Sequence, residues 1–157
     1  MIKKIKRLDL GKQWISQEKK ILPSILKVLR SGQYVNSDIV EKLENKIARL
    51  NNTKYCICTN SGTDALTLGL HALGIKKNDE VITQSNSFIA STASIVHLGA
   101  KPVFVDIKNN QMIDEDKIQS KITKKTKAIM PVHLTGRMAN MKIIKKIAKK
   151  NNLKIIE

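Results

Sequence analysis

The feature that most constrains this chain is a regular alternation of short apolar runs with amphipathic stretches, running from residue 54 to Glu157. Residues 55–59, 80–83, 102–105, 127–130 and 153–156 are short, apolar and bounded by polar or turn-forming residues, which reads as strands. Between them, 63–73, 87–98, 114–121 and 140–150 space their apolar residues as one face of a helix does. Gly74 and Gly99 follow two of these stretches, where a left-handed residue ends a helix. Asp114 and the acids after it suit the positive end of a helix dipole. In the last stretch Met141, Ile144, Ile147 and Ala148 face inward, while Lys142, Lys145, Lys146, Lys149 and Lys150 form a solvated face. Strands alternating with helices at this spacing predict an α/β fold, a mostly parallel sheet with flanking helices.

The N-terminal part is less patterned. Residues 18–30 predict a helix with Ile21, Leu22, Ile25, Leu26 and Leu29 on one face and Pro23 in its first turns. Ser31-Gly32 closes it. Ser37 is a candidate N-cap for a second helix whose core stripe would be Ile39, Leu43, Ile47 and Leu50. The organisation expected is an N-terminal arm and first helix over 1–35, then a partial large domain over 36–157. Its last residue falls at the end of what reads as a central strand with no covering helix, so an N-terminal fragment is expected.

Composition narrows the function classes. With 41% hydrophobic residues in 157, the chain has enough apolar side chain for a real core. No apolar run approaches the ~18 residues of a membrane span, and no apolar signal segment follows the basic N-terminus. A cytoplasmic protein without a membrane partner is expected. Cys56 and Cys58 are too few for a disulfide framework or a four-ligand zinc site, and buried reduced thiols are expected of them. The net charge of +16 raises nucleic acid as a partner. However, 25 of the 29 basic residues are Lys and aromatics are only 3%, so Arg forks and stacking platforms are scarce. No nucleic-acid role is expected.

Ligands of open α/β sheets bind outside the carboxyl ends of the strands. After residues 55–59 comes Asn60-Ser61-Gly62-Thr63-Asp64-Ala65-Leu66, a tight small-residue turn into a helix. The free N–H groups there, with the Ser61 and Thr63 hydroxyls, make an anion site of phosphate size. It is neither a Walker loop nor a GxGxxG turn, and ordinary capping by Ser61 and Asp64 is the competing reading. Phe88 follows the 80–83 run. It could cover a flat ring or pack on the core as a helix-start staple. Asp106 follows the 102–105 run. His133 follows the 127–130 run and could bond a ligand or cap a strand end. His71 and His97 fall inside helices. No serine or cysteine nucleophile is paired with a base, and no carboxylate or histidine cluster points to a metal.

Six stretches, in order, resemble the sugar aminotransferases of the DegT/DnrJ/EryC1/StrS family, which use pyridoxal 5′-phosphate (PLP). They are Asn60 to Leu66, Asn78-Asp79-Glu80-Val81-Ile82, Ser87-Phe88-Ile89-Ala90-Ser91, Gly99 to Asp106, Thr126-Lys127-Ala128-Ile129, and Pro131-Val132-His133-Leu134-Thr135-Gly136. The resemblance runs from about Leu22 to Glu157. It implies part of the large domain of a fold-type I PLP enzyme. Gly62, Thr63 and Asp64 would hold the cofactor phosphate, Phe88 would stack on the pyridine ring, and His133 would lie near the cofactor. Ser31-Gly32-Gln33-Tyr34-Val35 matches a stretch near the dimer partner's site, though Ser37 and Leu43 stand where the family usually has Gly and Phe. The acid that pairs with the pyridine nitrogen and the Schiff-base lysine are expected beyond Glu157.

The resemblance implies a homodimeric aminotransferase. It would move an amino group from an amino acid, glutamate above all, to a keto nucleotide-sugar, in polysaccharide or glycoconjugate precursor synthesis. The fragment alone is expected to be inactive. The alternatives are a nucleotide-sugar dehydratase of the same family that uses pyridoxamine 5′-phosphate (PMP), and a non-enzymatic truncated or regulatory member.

Overall fold

A computed structural model describes residues 6–35 and 37–157. The chain forms two compact units, Met1–Cys58 and Thr59–Glu157.

The first unit holds two helices, α1 (Leu10–Ser31) and α2 (Asp38–Leu50). Asp9 starts α1 by accepting from the Lys12 N–H at 3.1 Å, and Gly32, at φ 68°, ends it. The helix therefore begins well before residue 18, and Pro23 stands in its interior, where it forfeits one backbone hydrogen bond. Ser37 occupies the N-cap position of α2, but its side chain makes no capping bond. Of the predicted α2 stripe, Ile39, Leu43, Ile47 and Leu50 are all exposed, and Ala48 is the buried residue of that helix. The spacing is right, but among the described residues of this unit no layer covers the stripe.

Residues 55–59 are not a strand. The Cys58 N–H donates to Glu44 Oε1 at 2.7 Å instead of to a neighbouring chain, and Tyr55 and Ile57 are exposed. An extended segment becomes a strand only where another strand offers its backbone groups, and none of the described strands pairs with this one. For the same reason the two thiols are not buried: Cys56 is half-buried and Cys58 exposed, and both are free.

The second unit carries the α/β alternation as α3 (Gly62–Ala72), β1 (Glu80–Gln84), α4 (Ile89–His97), β2 (Lys101–Val105), α5 (Glu115–Lys121), β3 (Thr126–Met130), α6 (Met141–Lys150) and β4 (Lys154–Ile155). These four strands pair in parallel, in the order β2-β1-β3-β4. Ile82 lies beside Val103 on one side and Ile129 on the other. Because side chains alternate across a strand, the sheet builds two cores. Ile82 and Ile129 face Ile118 of α5 and Ile144 and Ala148 of α6. Val81, Ala128 and Met130 face Leu70 of α3 and Ile95 of α4. The result is a helix–sheet–helix sandwich, the α/β architecture that the alternation predicts. Side-chain caps begin α5 (Asp114 to the Asp116 N–H) and α6 (Asn140 to the Ile143 N–H).

Ile82 is fully buried on the central strand, whereas Val96 on the outer side of α4 is half exposed. Ile82→Ala should therefore cost about 2–5 kcal/mol in chemical denaturation, and Val96→Ala no more than ~0.5 kcal/mol. Equal costs would show that β1 is not at the centre of the core.

Candidate functional site

Strands β1 and β3 are neighbours, but their connections leave in opposite directions. β1 leads through α4 to β2, and β3 leads through α6 to β4. α4 packs on the Val81 face and α6 on the Ile82 face. The loops after β1 and β3 therefore part toward opposite faces and open a crevice at the carboxyl ends of the strands. This is the switch point at which open parallel sheets take their ligands. Helix α3, which leads into β1, starts at this same edge. Gly62, Thr63, Ser87, Phe88, Val132 and His133 together line a concavity of about 420 Å³ there.

The helix start is built by its sequence. Ser61, in extended conformation, accepts from the Asp64 N–H at 3.1 Å and donates its hydroxyl proton to Asp64 Oδ2 at 2.8 Å. Both capping residues are thus engaged with each other, and the Asp64 carboxylate serves the turn. The Gly62 and Thr63 N–H groups lie in the first turn, where a helix offers no acceptor. A Cβ built on Gly62 meets nothing within 4 Å, so packing within the chain does not require glycine here. Its missing side chain leaves the helix start open to a bound group. Donors of this kind at the positive end of a helix favour a phosphate.

Phe88 occupies the N-cap position of α4 at φ −63° and ψ 144°, and it is 75% exposed. It is not a staple on the core; its ring stands free at the rim of the crevice. Ser87 and Ser91, one helical turn apart, share a hydroxyl–hydroxyl bond of 2.7 Å beside it. His133 is tied within the chain. Its Nδ1 accepts from the Ala139 N–H at 3.2 Å, so the neutral ring carries its proton on Nε2, which donates to Glu157 Oε2 at 2.8 Å. The chain thus fixes the orientation of the imidazole and leaves the ring face, more than the nitrogens, for a ligand. Beyond it, Thr135 at φ 56° and Gly136 at φ 81° turn the loop back through the left-handed region. For the β-branched threonine this stores about 1–3 kcal/mol of strain.

Of the residues singled out from sequence, Gly62, Thr63, Phe88 and His133 meet at the crevice, with Asp64 supporting the first two from behind. Asp106 does not line it. The Ile107 N–H and the Lys117 ammonium hold its carboxyl below the ordinary carboxylate range. His71 and His97 are exposed helix residues elsewhere. Gln84 is not singled out by the sequence, because a polar residue at the end of a strand that also carries Glu80 and Thr83 has no distinguishing signal. It is fully buried, and its side-chain oxygen accepts from the N–H of Val132, a residue of the crevice lining. Among the described residues, no group of His, Cys, Asp and Glu could hold a metal ion.

Because a Cβ at Gly62 would meet open space, Gly62→Ala should not lower stability in chemical denaturation. The same substitution should markedly weaken binding of PMP by equilibrium dialysis. Unchanged PMP affinity would remove the helix start from the site.

The family model for the DegT/DnrJ/EryC1/StrS aminotransferases matches residues 16–157. A "Pleiotropic regulatory protein" of Geobacillus stearothermophilus is 42% identical over 151 residues, covering 96% of this chain and 41% of the relative. A dTDP-3-amino-3,6-dideoxy-alpha-D-galactopyranose transaminase of Aneurinibacillus thermoaerophilus is 46% identical over 151 residues, covering 96% of this chain and 42% of the relative. Among solved structures, NtdA from Bacillus subtilis with bound cofactor PMP superposes at a TM-score of 0.95 and 37% identity, covering 100% of this chain and 37% of that one. The chain therefore spans well under half the length of these relatives. A match that takes in the helix start, both crevice loops and nearly all the rest of the sequence settles the family: the chain belongs to the DegT/DnrJ/EryC1/StrS aminotransferase family.

Proposed function

We propose that this chain supplies the phosphate-holding part of a PLP-dependent aminotransferase. The substrates are a nucleotide-linked keto sugar and an amino-acid donor, with glutamate expected. The observation that carries this reading is the open start of α3 at the β1–β3 switch point, facing an exposed aromatic ring. When bound, PLP supplies a carbonyl that exchanges amino groups and a ring that withdraws electrons from the reacting carbon.

The chain's own residues hold and orient it. The Gly62 and Thr63 N–H groups and the Thr63 hydroxyl donate to the phosphate. Ser61 and Asp64 keep that turn in place. Phe88 lies against the flat ring and keeps water from that face. His133, held by Ala139 and Glu157, forms a fixed wall. The family resemblance orders the pyridine-nitrogen acid and the Schiff-base lysine after Glu157, so residues 1–157 alone bind cofactor without turnover. The working enzyme is a cytoplasmic homodimer that makes amino sugars for a polysaccharide or other glycoconjugate. A regulatory member that binds without turnover is the second reading, favoured by the similarity to the Geobacillus protein.

The test uses protein produced from the complete gene, loaded with PLP, glutamate and a keto nucleotide-sugar. Formation of 2-oxoglutarate together with an amino sugar is the expected result. PLP binding with no 2-oxoglutarate from any keto nucleotide-sugar would favour the regulatory reading, and no PLP binding would overturn both. Ring stacking of this kind contributes about 0.5–1.5 kcal/mol. Phe88→Ala should therefore weaken PLP binding by roughly two- to tenfold.

A further inference from the structure

Gln84 ends β1 and is fully buried, and all four hydrogen-bonding positions of its side-chain amide are used. Nε2 donates to the carbonyl of Asn86 at 3.1 Å and to that of Gln111 at 3.3 Å. Oε1 accepts from the Ile113 N–H at 3.2 Å and from the Val132 N–H at 3.4 Å. These partners lie on three different loops. Asn86 is two residues before Phe88, and Val132 immediately precedes His133. Gln111 and Ile113 belong to the segment between β2 and α5. One buried amide therefore joins the loops that follow β1, β2 and β3, three adjacent strands of the sheet. Two of those loops form opposite lips of the crevice.

The chemistry makes this more than ordinary packing. The four partners are backbone groups that neither the sheet nor a helix satisfies. Without the amide the buried Ile113 N–H would be left unpaired, and the part-buried groups of Asn86, Gln111 and Val132 would have to turn to water, which parts the loops. No apolar side chain of similar size can substitute. A neighbour offers a contrast: the buried Thr83 hydroxyl donates to the Met130 carbonyl at 2.8 Å, within the paired part of the sheet, and not to a loop.

We propose that Gln84 is a positioning residue for the cofactor site: it sets the spacing between the Phe88 and His133 loops, and through them the fit of the ring-binding crevice. The cofactor part of this inference rests on the function proposed above; the loop-spacing part does not.

The test compares Gln84→Leu and the milder Gln84→Met with Thr83→Val as a control for general destabilisation, each in protein from the complete gene. Three quantities are read: melting temperature, amide hydrogen exchange, and affinity for PMP, a probe whose binding needs no covalent lysine. In the unsubstituted protein, the Ile113 and Val132 amides and the Gln84 side-chain amide should exchange slowly. Both Gln84 variants should speed exchange at Ile113, Val132 and the Asn86–Phe88 loop, and weaken PMP binding about tenfold or more. Thr83→Val should lower the melting temperature while leaving PMP affinity within about twofold. The proposal is overturned if the unsubstituted Gln84 amide exchanges as fast as an exposed one. It is also overturned if the variants lower melting temperature but leave both loop exchange and PMP affinity at the control's level. If the unsubstituted protein does not bind PMP, the cofactor assignment fails, while the exchange data still decide whether Gln84 sets the loops. Should Gln84→Leu fail to fold, Gln84→Met and the unsubstituted protein carry the decision.

Discussion

The parallel pairing of β1 with β3 is the constraint on which the rest of the second unit depends. It places side by side two strands whose following helices go to opposite faces of the sheet. That divergence opens the crevice and aims the Phe88 and His133 loops at each other across it. It also leaves backbone groups at the strand ends beyond the reach of the ladder, and Gln84 satisfies those of Asn86 and Val132. The pairing itself is held by apolar side chains on both faces. Ile82 and Ile129 are buried under α5 and α6, and Val81 and Ala128 under α3 and α4. Fold and site are thus consequences of one arrangement: a central strand pair, β1 and β3, covered on both faces, with polar residues where the strands stop.

Electrostatics reinforce this division. Several acids of the second unit are engaged with lysines on the β2–α5 side. Lys108 bridges Asp114, Glu115 and Asp116, and Lys117 bridges Asp106 and Asp114. Hydrogen bonds to Asp116 and Glu115 push the Lys108 ammonium well above its ordinary range. The residues lining the crevice include no carboxylate, and the Asp64 carboxylate behind the helix start is engaged by the Ser61 hydroxyl. An anionic group therefore meets helix N–H groups while the nearby Asp64 and Glu157 carboxylates are engaged by Ser61 and His133, inside a chain of net charge +16 whose long-range field draws anions toward it. The exposed lysines of α6 contribute to that field from the helix surface.

Much of this was legible in the sequence because the signals are local. The Ser61, Asp114 and Asn140 caps mark helix starts, and Gly99 marks a helix end with its positive φ. The apolar strands and the Met141, Ile144, Ala148 face of α6 follow from periodicity alone. What was not legible depends on partners distant in sequence. Residues 55–59 have strand composition but no described strand beside them, and the α2 stripe has helical spacing but no covering layer. Whether Phe88 packs inward or stands free is decided by loop geometry, which side-chain type does not encode. The role of Gln84 depends on backbone groups at 111, 113 and 132, far from it in sequence. The start of α1 was missed for a plainer reason: Asp9 is a local cap signal in a stretch with few apolar residues to mark a helix.

The central claim is that the start of α3, at the β1–β3 switch point, holds a cofactor phosphate. The most direct measurement is a map of backbone amide chemical shifts during titration with PMP, with pyridoxamine lacking the phosphate as the comparison. The account predicts saturable shifts that are largest at Gly62 and Thr63, with smaller ones at Phe88 and His133, and their loss at the helix start for the dephosphorylated compound. The same shift map for both compounds would contradict it. So would saturable shifts confined to the cleft of the first unit lined by Lys27 and Lys42.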